Sequence, residues 1–228
     1  MIAVAVAAWA LVLAALAFVY YVRYVEPAQI EVTRRVVRFP ELPAGLEGLT
    51  IAHLSDFHCQ PDPAIERASR EAVRLAMAAE PDLIAITGDL FETGEMAARC
   101  PHQIAGLSAP LGVYAVLGNH DRGHEDAFSG REASDEDVAK LRVVLAELGM
   151  VLLVNESRSV EAQGARLVIA GVDEYACGRD DAAAALAGAA GADLIILLAH
   201  TPDIVDDPQA RRADLILCGH THGGQIRL

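Results

Sequence analysis

Three times along the chain an Asp-Leu-Ile triplet opens an unbroken apolar run, at Asp82-Leu83-Ile84, Asp193-Leu194-Ile195 and Asp214-Leu215-Ile216. Runs that are apolar on both faces suit strands covered on both sides, as in parallel sheets. That requirement points to an α/β domain, in which helices supply the cover. A polar donor follows each run: Asp89 after the first, His200 after the second, His220 and His222 after the third. In parallel sheets ligands gather beyond the carboxyl ends of the strands. Three separate strands thus deliver donors to one edge.

The remaining pattern fills in that frame. Strands are predicted at residues 49–54, 82–87, 113–117, 151–154, 167–170, 194–198 and 215–218. A helix is predicted over 62–80, with Asp62 as its cap and Pro63 in its first turn. Ile65, Ala68, Ala72, Leu75, Ala76 and Ala79 fall on one of its faces. A second helix is predicted over 134–148, capped by Ser134 with Asp137 three residues on, and closed by Gly149. Val138, Leu141, Leu145 and Leu148 form its buried stripe.

The N-terminus reads differently. Residues 2–22 carry no charged side chain, and about 20 apolar residues suffice to cross a bilayer. Trp9 lies within this run, and Tyr20, Tyr21 and Tyr24 cluster at its far end as interfacial anchors do. A cleaved signal would carry a basic segment ahead of the run, and core helices are rarely apolar on every face. Residues 1–25 are therefore read as a single-pass membrane anchor. Arg23, Arg34, Arg35 and Arg38 follow it, which favours a cytoplasmic domain. Residues 26–48, with Pro27, Pro40 and Pro43, read as a linker and the strand leading into a domain over 49–228.

Five polar blocks end or closely follow strand candidates: Ser55-Asp56-Phe57-His58, Gly88-Asp89, Gly118-Asn119-His120-Asp121, Ala199-His200 and Gly219-His220-Thr221-His222. Together they offer carboxylates, an amide and imidazoles without thiolate, a set that suits Mn, Fe, Zn, Ni or Co. Asp56 and His58 are two apart, as are His220 and His222, so an extended backbone would project each pair from one face. Gly88, Gly118 and Gly219 stand where backbone must turn or approach a ligand. Asp89 could bridge two cations about 3.5–4 Å apart. Singly, Asp-x-His or Gly-Asp is an ordinary turn; the five blocks in this order are not. Cys59, Cys100, Cys177 and Cys218 form no CxxC pair and read as free thiols. The net charge of -14 disfavours nucleic-acid partners, and a metal cluster would supply the local attraction for an anionic substrate.

These five blocks resemble the signature of the calcineurin-like metallophosphoesterase superfamily over residues 50–227. The closing Gly-His-Thr-His-Gly-Gly-Gln-Ile and the N-terminal span are similar to its YkuE/YaeI-type branch of membrane-associated phosphodiesterases. The resemblance implies two packed mixed β-sheets flanked by helices, in an α/β/β/α sandwich. It implies two divalent metal ions, Mn²⁺ foremost, with Fe, Zn, Ni, Co or Mg as alternatives. Asp56, His58 and His222 would hold one ion, Asn119, His200 and His220 the other, and Asp89 would bridge them. His120 would protonate the leaving oxygen, with Asp121 orienting its ring. Two cations sharing a water would generate the nucleophile. The expected substrates are phosphodiesters, pyrophosphates or phosphomonoesters, including lipid-linked and nucleotide-sugar esters.

Departures from the family pattern bear on the expectation. Cys59-Gln60 stands where many relatives have a glycine-containing loop, making Cys59 either a bystander or a redox-sensitive thiol. Glu92 stands where purple acid phosphatases place an iron-binding tyrosine. Relatives continue beyond the Gly-Gly-Gln-Ile segment, so a sequence ending at Leu228 is expected to be a fragment. The 122–137 segment, with His124, Phe128 and Arg131, is the expected substrate-facing insert. Two alternatives are a non-catalytic scaffold, which would have no use for His120, and a nuclease, disfavoured by the acidic balance and the lone Lys140.

Overall fold

A computed structural model describes residues 2–93, 96–123 and 133–224. Helix α1, Ile2–Tyr20, is exposed along its whole length. A π turn at Tyr21–Val25 and a 3-10 turn at Glu26–Ala28 prolong it. The helical stretch Ile2–Val25 is long and apolar enough to cross a membrane. Residues 29–39 form neither helix nor strand, so the strand foreseen ahead of the domain does not form among the described residues. A 3-10 turn at Ala44–Leu46 then leads into β1, Ile51–Leu54.

The domain is two four-stranded sheets packed face to face. The first comprises β1, β2 (Leu83–Thr87), β3 (Val113–Val116) and β4 (Met150–Leu152), paired in that order and parallel throughout. The second comprises β5 (Glu156–Ala162), β6 (Ala165–Gly171), β7 (Leu194–Leu198) and β8 (Leu215–Leu217). It is mixed through β5, which runs antiparallel to β6, while β6, β7 and β8 are parallel. β5 is a strand that the apolar pattern did not announce, because its sequence is mostly polar and it lies on an edge. The Gln163-Gly164 turn into β6 has positive φ at both residues (49° and 85°), the twist a two-residue hairpin needs.

Alternation along β2 shows how the layers form. Leu83 and Ala85 face the second sheet, packing with Tyr114, Val116, Leu167, Ile169, Leu194 and Ile196. Ile84 and Ile86 face the other way, into helices α2 (Pro63–Ala78) and α5 (Asp135–Glu147). α6, Ala182–Ala185, and neighbouring 3-10 turns cover the outer face of the second sheet. The result is the expected four-layer sandwich. Short helices α3, Met96–Arg99, and α4, Asn119–Arg122, lie in the loops.

Both predicted helix starts are capped as read. Asp62 accepts from the Ala64 and Ile65 amides at 2.8 and 3.3 Å. Ser134 and Asp137 form a reciprocal capping box. Each such cap contributes about 1 kcal/mol. Most of the 122–137 insert, including His124, Phe128 and Arg131, lies outside the described residues, as do Gln225 and Ile226.

Candidate metal centre

Because β1, β2 and β3 are mutually parallel, and β6, β7 and β8 likewise, each sheet offers its carboxyl ends together. Asp56 and His58 follow β1, Asp89 follows β2, and Asn119 and His120 follow β3. His200 follows β7, and His220 and His222 follow β8. All seven predicted donors converge on the seam where the two sheets meet.

They fall into two groups. In one, His58 Nε2 is 3.3 Å from His222 Nε2 and 3.5 Å from Asp89 Oδ2. His222 Nε2 is 3.3 Å from Asp56 Oδ1. In the other, Asn119 Oδ1 lies 2.9 Å from His200 Nε2 and 3.1 Å from His220 Nδ1. The two imidazole nitrogens are 3.2 Å apart. Asp89 Oδ2 also reaches His200 Nε2, at 3.2 Å, and so belongs to both groups.

The backbone is strained to achieve this. Among the described residues, eight non-glycine residues have positive φ, and five of them are Asp56, His58, Asp89, His220 and His222. Left-handed backbone is uncommon for residues with a Cβ, and its concentration at a site marks a functional demand. It also corrects the reading of the two-residue spacings. Asp56 and His58 have φ of 56° and 46°, and His220 and His222 67° and 48°, so neither pair is extended. The donors converge through left-handed turns instead. Gly118 allows a close approach to the shared carboxylate: a Cβ there would lie 2.1 Å from Asp89 Oδ1.

Surrounding groups fix the rings. His200 Nδ1 donates to the Thr87 carbonyl at 2.7 Å, leaving Nε2 as the inward atom. His58 Nδ1 donates to Glu92 Oε2 at 3.0 Å, with the same effect. Such outer partners orient metal-ligating histidines. The inward nitrogens then face carboxylate and amide oxygens, lone pair against lone pair, unless a proton or a cation lies between them. Burial pushes the His200 pKa down, but the Asp89 carboxylate outweighs it and raises it to about 9. Burial likewise pushes Asp89 up, yet His200, His58 and the His120 amide at 3.0 Å hold it below the usual carboxylate range. The donor set fits divalent cations: hard oxygens and imidazoles, clustered and oriented, with one shared carboxylate.

Asp121 is turned toward backbone amides and not toward the His120 ring that the resemblance had it orient. Its carboxylate accepts from the Gly118, Leu90 and Phe91 amides at 3.0, 3.2 and 3.1 Å, tying the Asp89 loop to α4. Burial and then the Asp89 charge push its pKa up to about 7 against those three amides. The His120 ring meets Glu92 instead: Nδ1 donates to its carbonyl at 3.3 Å. Glu92, His58 and His120 form a further cluster of donor atoms at the rim. Glu92 carried no motif signal beyond standing three residues after Asp89. Cys59 is wholly buried, and burial pushes its thiol up to about 12, which favours the bystander reading over the redox-sensitive one.

Behind the centre, buried Arg122 pairs with buried Asp173 across the seam. Asp173 accepts from the Glu174 amide, and Glu174 Oε1 accepts from Thr201 Oγ1 at 2.6 Å, next to His200. Nothing in the periodicity singled out these residues.

The family model for calcineurin-like phosphoesterases matches residues 49–224. The chain belongs to that family. Among relatives, the uncharacterized metallophosphoesterase YkuE of Bacillus subtilis is 29% identical over 214 residues, covering 91% of this chain and 70% of that protein. A Bos taurus transmembrane protein with a metallophosphoesterase domain is 33% identical over 212 residues, covering 86% of this chain and 45% of that protein. The solved NAD nucleotidase of Haemophilus influenzae superposes with a TM-score of 0.51 at 19% identity, over 76% of this chain and 38% of that one. The chain thus spans under half the length of the latter two. This calcineurin-like phosphoesterase is of the YkuE branch, with one candidate membrane span and a cluster able to hold a metal ion.

Proposed function

We propose that the chain is a membrane-anchored hydrolase of phosphodiester, pyrophosphate or phosphomonoester bonds that works with two divalent metal ions. The observation that carries this is Asp89, whose carboxylate oxygen lies within 3.5 Å of imidazole nitrogens from both donor groups. Asp56, His58 and His222 would hold one ion, and Asn119, His200 and His220 the other, with Asp89 between them. Ions bound there supply Lewis acidity, lowering the pKa of a water at the seam and neutralising the phosphoryl oxygens.

The chain's own groups do the rest. The His120 amide fixes one Asp89 oxygen and leaves the other for the donors. With Nδ1 donating to the Glu92 carbonyl, His120 would protonate the leaving oxygen from Nε2 as the imidazolium, the form that carries a proton on both nitrogens. Its ring stands edge-on to His58, centroids 4.5 Å apart, so the proton donor sits beside the ligand group. Asp121 positions this apparatus by holding the Gly118 and Leu90 amides. Ile2–Val25 would anchor the domain, and Arg34, Arg35 and Arg38 after it favour the cytoplasmic face. Mn²⁺ is the first ion to try.

The test is hydrolysis by Mn²⁺-loaded full-length chain of p-nitrophenyl phosphate, bis(p-nitrophenyl) phosphate and a nucleotide-sugar pyrophosphate. Asp89→Asn should lose both metal and turnover. His120→Ala should keep its metal and lose about 10²–10⁴-fold in rate, as removal of a general acid does. Metal-loaded protein that leaves all three esters intact would refute the reading.

A further inference from the structure

The path of the chain between the membrane helix and β1 fixes which end of the domain meets the bilayer. Ile2–Val25 rises about 36 Å, somewhat more than the roughly 30 Å hydrocarbon core, so its last turn lies at the headgroups. Tyr20, Tyr21 and Tyr24 mark the same level. There Arg23 pairs with Asp62, and Tyr21–Ala28 packs against α2. Asp62 lies four residues past His58, so its Cα is within about 14 Å of that ligand's even in an extended chain. The helix end is therefore docked beside the carboxyl-end rim that carries the donors.

The linker independently says the same. Residues 29–39 form neither helix nor strand and can span up to about 36 Å. They end near the Ala44–Leu46 turn, where Gly45 abuts the Ala162 and Gln163 carbonyls at the β5–β6 hairpin. That hairpin closes the opposite end of the sandwich, where β6 begins. The linker thus descends the full height of the domain, and β1 climbs back toward the metal centre. A helix attached at the far rim would need no such strap.

We propose that the rim bearing Asp56, His58, Asp89 and their partners is seated on the bilayer surface from which α1 emerges, held by the Arg23–Asp62 contact, and takes the phosphoester headgroup of a membrane amphiphile as substrate. The substrate half rests on the hydrolytic reading above; the seating does not. Substrate then reaches the centre along the membrane plane.

Energy transfer tests the seating without any turnover. Exposed Ala176 and Gln163 flank the two ends of β6, which rises about 23 Å. A donor dye on a non-natural side chain at 176 or 163, in full-length chain reconstituted in nanodiscs with headgroup-labelled acceptor lipid, reads the height of each end. Transfer should be stronger from 176, and Arg23→Gln and Asp62→Asn should each narrow the difference. Asparagine preserves the α2 cap, so Asp62→Asn removes the charge alone. Equal transfer, or more from 163, overturns the seating, and an undiminished difference in both variants overturns the ion pair's role. A p-nitrophenyl phosphodiester on diacylglycerol, in the same discs with Mn²⁺, tests the substrate. Both variants should lower its hydrolysis several-fold and leave that of soluble bis(p-nitrophenyl) phosphate unchanged. No hydrolysis of the lipid ester, or no selective fall, overturns the substrate class; no hydrolysis of the lipid ester or of any of the three soluble esters defeats the hydrolytic reading instead.

Discussion

Arg122 and Asp173 meet across the seam between the sheets, Nε to Oδ1 at 2.8 Å, each almost fully buried. Arg122 follows His120 on α4, and Asp173 follows β6, so the pair ties the first sheet's donor loop to the second sheet. Removing one partner of a buried ion pair strands the other charge and costs about 3–5 kcal/mol. Asp173→Asn and Arg122→Met should each lower stability on that scale in chemical denaturation of the micelle-solubilised chain. A cost below about 1 kcal/mol, the range of surface pairs, would show that the contact is not a structural tie.

Gly118 makes its demand on the shared carboxylate itself. Its Cβ would sit 2.1 Å from Asp89 Oδ1 and 2.5 Å from the Asp89 amide. Gly118→Ala must therefore displace the shared carboxylate. Metal content by elemental analysis should fall well below that of the parent, while the circular dichroism of the domain persists. Full loading in the alanine variant would mean that Asp89 can shift and still bind.

The strand ends were legible because buried parallel strands leave a simple mark, an apolar run followed by a donor. Asp89, His200, His220 and His222 were found that way. What escaped was local geometry. Spacing cannot distinguish an extended Asp56-x-His58 from two left-handed turns, since both leave the same sequence. The role that the resemblance implied for Asp121 also parts from the geometry, because neighbouring helical residues do not face each other, and α4 turns its carboxylate toward backbone amides. Asp173 lies 51 residues from Arg122, and a lone polar pair at that separation leaves no periodic trace. β5 was hidden by its polar edge position.

Cys59 is the residue next to the metal-facing His58 yet should be chemically silent. Burial lifts its thiol to about 12, so at pH 9 only about a thousandth would be thiolate, the reactive form. The sign is that of a buried acid: the neutral form is favoured, and reactivity rises only as pH approaches the raised pKa. Folded protein treated with iodoacetamide at pH 8 should show no Cys59 adduct by peptide mass mapping, whereas denatured protein should be fully modified. Rapid labelling in the folded state would revive a redox role.

Glu92 supplies the last prediction, and it concerns a residue with no motif of its own. Its Oε2 accepts from His58 Nδ1 at 3.0 Å, which keeps the lone pair of Nε2 turned toward Asp89 and His222. Loss of such an outer carboxylate typically lowers metal affinity 10–100-fold. Glu92→Gln retains the shape and can still accept one hydrogen bond, so it should fall at the mild end; Glu92→Ala should fall at the severe end. Because Glu92 touches the group of Asp56, His58 and His222 and not that of Asn119, His200 and His220, titration with Co²⁺ should show one binding step weakened and the other unchanged. Equal weakening of both steps would mean that the two halves of the centre load as one unit through Asp89, and that the His58 ring is held by something other than Glu92.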